Sequence, residues 1–133
     1  KRGAGIYLEG SSCTITNSSI DNNTCLDNGY GSGAGVYANF SSVEANQVLF
    51  IDNYARADRS DSGGGAVRLR NSDLTGQEVT FLNNSSNGYA GAIFSEFSNI
   101  DLTDCVAWFR NGPRRFESLL QFTHCGQSSR FSG

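Results

Sequence analysis

The chain has no methionine, one proline, one tryptophan and one histidine in 133 residues, and only 17% of it is charged. No stretch approaches the roughly 18 apolar residues of a membrane-spanning helix, and no apolar segment of signal-peptide type opens it. There is no run of basic residues. The arginines stand in small groups (Arg56 and Arg59, Arg68 and Arg70, Arg114 and Arg115) within a formal net charge of -3, so nucleic acid is not an expected partner. The four cysteines form no C-x-x-C pair and have a single histidine for company, which argues against zinc and implies no cofactor. Disulfides are the remaining use for them, and that points to an oxidising compartment. The chain begins Lys1-Arg2, as expected of a processed protein or a piece of a longer one.

What is abundant is turn-forming and uncharged: 16 glycines, 13 asparagines and about two dozen serines and threonines. Long helices are not expected. A small-residue cluster followed by a β-branched residue recurs four times, at Gly3-Ala4-Gly5-Ile6, Gly33-Ala34-Gly35-Val36, Gly64-Gly65-Ala66-Val67 and Ala90-Gly91-Ala92-Ile93. The spacings are 30, 31 and 26 residues. With Ile6, Val36, Val67 and Ile93 as position zero, position seven holds Cys13, Val43, Leu74 and Ile100, and position fourteen holds Ile20, Phe50, Phe81 and Ala107. Position nine adds Ile15, Ala45, Gly76 and Leu102, and position twelve adds Ser18, Val48, Val79 and Cys105. Alternation at zero and two, seven and nine, and twelve and fourteen has the period of strands, not of helices. The expected fold is therefore all-β: a right-handed parallel β-helix of about four coils with three short strands per coil.

One domain over 1–133 follows, with coils at about 3–32, 33–63, 64–89 and 90–118 and a partial fifth coil over 119–133 that Leu120 and Phe122 would start. The turn after the first strand (Glu9 to Ser12, Asn39 to Ser42, Arg70 to Asp73, Glu96 to Asn99) reads as polar in each repeat. Glycine at the anchor suits a point where the chain re-enters the coil with positive φ or close approach. Asn23, Asn53 and Asn84 share position seventeen, which predicts a column of side-chain amides, each donating to the next.

Gly64-Gly65-Ala66-Val67 followed by Phe81-Leu82-Asn83-Asn84 resembles the paired G-G-A-[ILV] and F-x-x-N tetrapeptides of chlamydial polymorphic outer-membrane proteins. Ala90-Gly91-Ala92-Ile93 and Phe50-Ile51-Asp52-Asn53 are partial matches, and the repeat resemblance spans about residues 3–111. It implies a β-helical passenger of a surface adhesin. The C-terminal membrane barrel of that family has no counterpart here, so autotransport is not carried over.

Many right-handed β-helices act on polysaccharides, but such chemistry needs clustered carboxylates or a base beside a metal-holding acid cluster. The outward position eight holds Glu44 and Asp101 two coils apart, roughly 10 Å, slightly wide even for an inverting pair. Asp58-Arg59-Ser60-Asp61 lacks the further oxygen ligands of a calcium site. His124 and Cys125 are sequence neighbours, which rarely point together. The paired Asp, Gly-His-Gly and Arg-x-Lys motifs of polygalacturonase-like proteins are missing too. No catalytic or metal-binding residue is therefore assigned, and the chain is not read as an enzyme.

Outward-facing residues supply other candidates. Position one holds Tyr7, Tyr37, Arg68 and Phe94, a file suited to stacking on sugar rings or on another protein. The outward positions of the third expected strand include Leu49, Ile51, Leu82, Val106 and Trp108, an apolar stripe that a loop or a partner would cover. Glycosylation sequons begin at Asn17, Asn22, Asn39, Asn83 and Asn84. Closeness in sequence pairs Cys13 with Cys25 and Cys105 with Cys125. The leading expectation is an extracellular or cell-surface structural module that builds a fibre, stalk or filament. Its partners are itself, head to tail or laterally, or adjoining coils of a longer chain. A glycan- or cell-binding adhesin is the alternative, and a polysaccharide-active enzyme fragment the third.

Overall fold

Columns of apolar residues at period two need a partner surface one repeat away, and the chain supplies it by stacking each strand on its counterpart. The computed structural model describes residue 3 and residues 5–26, 31–56, 63–88, 90–108 and 130–132, and every regular element in them is a β-strand. The first wall is β1 (Ile6–Glu9), β4 (Val36–Asn39), β7 (Val67–Arg70) and β10 (Ile93–Glu96). The second is β2 (Ser12–Asp21), β5 (Ser42–Ile51) and β8 (Asp73–Leu82), continued in the fourth coil by β11 (Asn99–Thr103) and β12 (Val106–Trp108). The third is β3 (Thr24–Leu26), β6 (Tyr54–Arg56) and β9 (Ser85–Ser86). All pairings are parallel, so the described residues form a β-solenoid of three complete coils and the first two walls of a fourth. A last strand, β13 (Arg130–Ser132), pairs in parallel with β12.

The register matches the alignment residue for residue. Ile6, Val36, Val67 and Ile93 face one another along the first wall. Cys13, Val43, Leu74 and Ile100 do so along the second, as do Ile20, Phe50, Phe81 and Ala107. These files make one continuous core, in which the Phe50 and Phe81 rings stack 5.0 Å apart and nearly parallel.

The division of the coil differs from expectation. Positions seven to nine and twelve to fourteen are not separate strands in the first three coils. They join into one ten-residue strand, while the third wall lies beyond position fifteen, where the alternation predicts no strand. The joint is a single left-handed residue at position eleven, Asn17, Gln47, Glu78 or Asp104, with φ of 48, 56, 53 and 51°. It bends the strand while the pairing continues on either side. The third wall escaped notice because its inward residues, Cys25, Ala55 and Ser86, are small and show no apolar alternation.

Three further left-handed corners complete each of the first three coils, and two of them recur in the described part of the fourth. At position four stand Gly10, Phe40, Asn71 and Phe97, and at position sixteen Asn22, Asp52 and Asn83. Three residues before position zero the corner is Gly3, Gly33 or Gly64, and Ala90 in the fourth coil. At Gly33 and Gly64 a Cβ would run into the carbonyl oxygens of Val36 and Val67, which explains the glycine anchor.

Two polar columns hold the corners in register. Asn53 donates through Nδ2 to the Ile20 carbonyl and to Asn84 Oδ1, both at 2.8 Å, while its own Oδ1 accepts from the Asn23 backbone N–H and Nδ2. The expected asparagine column thus exists. A second column was not anticipated: Ser11, Ser41, Ser72 and Ser98 at position five. The backbone N–H of each of the first three donates to the hydroxyl one coil on, and each hydroxyl donates to the carbonyl two residues before it.

Candidate interaction surfaces

The position-one file forms, but most of it is closed to a ligand. Tyr7 and Tyr37 stack with ring centroids 5.4 Å apart, and the Arg68 guanidinium lies 3.8 Å above the Phe94 ring. Tyr37 is only 2% exposed and Arg68 only 4%, whereas Tyr7 is open and Phe94 half-buried. The expected outward strip is therefore corrected: its centre is packing, not a platform. Arg68 Nη2 is 2.8 Å from Glu96 Oε2, with Arg70 Nε 3.7 Å from the same oxygen. Burial pushes the Arg68 guanidinium below its ordinary value, and the Glu96 carboxylate opposes that shift.

The apolar outer stripe is more open. Leu49 is exposed, while Ile51, Leu82 and Val106 are half-buried along the outer face of the second wall. Trp108 ends β12, and its side chain lies outside the described residues.

Cys13 and Cys25 do not bridge. Cys13 is half-buried against the main core, whereas Cys25 sits beyond the asparagine corner in a small cluster with Ala34 and Ala55. Nearness in sequence misled here because the corner places the two residues on different walls. Cys105 is buried in the main core, and its expected partner Cys125 lies outside the described residues. So do His124, Asp58 to Asp61, Leu120 and Phe122.

Among the sequons, Asn17 and Asn22 are exposed at left-handed corners and Asn83 is half-buried at another. Asn39 is half-buried, with Nδ2 donating to both Glu9 carboxylate oxygens. Asn84 is buried, and its Nδ2 donates to the Phe50 carbonyl, so a glycan there would cost the column its member.

The most exposed aromatics among the described residues stand where the sequence pattern reads as a polar turn. Phe40 and Phe97 at position four are 63% and 88% exposed. A bulky residue two places after the last first-wall alternation was the available signal. Among the described residues no group of His, Cys, Asp or Glu could hold a metal ion, and no helix is long and apolar enough to cross a membrane.

Stacked coils, glycine anchors and an asparagine column define a repeat-built parallel β-solenoid. Residues 78–96, from the kink of β8 through the Asn84 corner to β10, match the Chlamydia polymorphic membrane protein (Chlamydia_PMP) repeat family. That match covers one segment of the repeat and agrees with the resemblance drawn from the tetrapeptides. No curated protein and no solved structure matches the chain.

Proposed function

We propose that the protein is a cell-surface structural module that extends a fibre, stalk or filament by stacking coils end to end. The observation that carries this reading is the state of the first coil. Ile6, Leu8 and Cys13 are half-buried, while Val36, Ala38 and Val43, their neighbours one coil on, are fully enclosed. A coil whose inward file is part-exposed gains apolar burial and backbone hydrogen bonds from a further coil stacked on it, supplied by a second copy or by the same longer chain. The repeat match agrees with a structural role. A Cys105–Cys125 bridge and glycans at the exposed Asn17 and Asn22 fit an extracellular setting, and non-reducing peptide mapping tests both.

Sedimentation velocity across a concentration series, with negative-stain microscopy, tests the assembly. Growth into elongated particles at micromolar protein supports end-to-end stacking, and a monomer throughout with no filaments overturns it.

A further inference from the structure

Phe40 and Phe97 combine two features that folding alone does not reward. Each ring is largely in water, and each backbone is left-handed, with φ of 48 and 49°. That conformation suits glycine and asparagine, which occupy the same corner in the other two coils as Gly10 and Asn71, and it strains a bulky L-residue. The four corners stack, since the Gly10, Phe40 and Asn71 amides donate to the Asn39, Arg70 and Glu96 carbonyls of the next coil, each at 3.0 Å. Phe40 and Phe97 are therefore two coils apart on one edge, about 10 Å, with the polar, exposed Asn71 between them.

Two separated rings with an amide between them do not make a continuous apolar patch of the kind that docks a protein. They suit a ligand whose flat faces recur at that interval and whose remaining surface is hydroxyl. The exposed Glu9, Asp73 and Asn99 flank the edge and offer carboxylate and amide groups to hydroxyls. Two β-1,4-linked pyranose rings span about the distance between the phenylalanines. We infer that this corner is a glycan-binding edge, on which a linear β-1,4-linked polysaccharide runs along the solenoid axis and stacks alternate sugar rings on Phe40 and Phe97. The site lies on the side of the solenoid and does not depend on assembly.

Titration calorimetry with cellohexaose and chitohexaose, beside Phe40→Gly and Phe97→Gly, tests it. Glycine keeps the corner conformation, so each variant is expected to melt no lower than the wild type. At least one hexasaccharide is expected to bind the wild type, with the corresponding disaccharide much weaker, and each variant is expected to lose about tenfold or more in affinity. No binding of either hexasaccharide, or equal binding by the variants, overturns the assignment. So does a clear fall in melting temperature in either variant, which makes the ring a packing element. Loss of self-association in the variants with sugar binding intact also overturns it, since the rings would then meet a second copy.

Discussion

Four side-chain hydrogen bonds converge on Asn53: two accepted from Asn23, one donated to the Ile20 carbonyl and one to Asn84. The residue is fully buried, so its loss strands several polar groups away from water. Asn53→Ala is expected to cost about 2–4 kcal/mol in urea unfolding, and Asn23→Ala, with one neighbouring coil, distinctly less. Arg68 raises a different issue, because a nearly buried guanidinium is ion-paired with the Glu96 carboxylate. Glu96→Gln removes that counter-charge and is expected to destabilise by about 1–3 kcal/mol. Arg68→Met in the same background should recover much of the loss, since the buried charge goes with it. The asparagine column was legible in the sequence because an identical residue recurs at one position. The serine column was equally visible and was absorbed into a generally polar turn. Burial of Tyr37 and Arg68 was not legible, because alternation assigns a residue to a face without saying what lies over that face.

The long strand of the second wall shows where sequence pattern runs out at the level of elements. The register of positions seven, nine, twelve and fourteen holds, since period two survives on both sides of the kink, although Ser18 in the first coil is exposed. The kink itself was read as a break between strands. Nothing in Asn17, Gln47, Glu78 and Asp104 announces a left-handed bend beyond polarity, whereas the glycine anchors announced theirs. Gly76 in β8 marks a tighter constraint: its φ is 148°, and a Cβ there would run into the Ala45 carbonyl oxygen on the adjacent strand. Gly76→Ala must therefore push β8 off β5 and is expected to lower stability by more than about 2 kcal/mol. At Gly10 a Cβ meets open space, so Gly10→Ala bears only the backbone strain of its φ of 57°, about 1 kcal/mol. Thermal melts of the two variants side by side check the contrast, and equal losses would argue against the stacking of β8 on β5.

At the scale of the whole molecule, fold class and coil register were legible because a solenoid repeats its instructions, so four weak patterns in register amount to one strong one. Function was less legible, since a repeat that specifies stacking leaves its corners free to vary, and the exposed phenylalanines lie at corners. If a second copy stacks on the first coil, the backbone of that coil identifies which atoms would report it. The Ser42 and Tyr54 amides donate back to the Ser11 and Asn23 carbonyls of the first coil. By the same geometry their counterparts Ser12 and Thr24 point their amides away from the second coil. The Gly10 and Asn22 amides, by contrast, are already bonded to the Asn39 and Ile51 carbonyls. Amide hydrogen exchange resolved by residue, in dilute and in concentrated protein, reads this directly. Ser12 and Thr24 are expected to exchange rapidly when dilute and to become strongly protected as concentration rises, while Gly10 and Asn22 change little. Rapid exchange at Ser12 and Thr24 at every concentration would contradict stacking between copies.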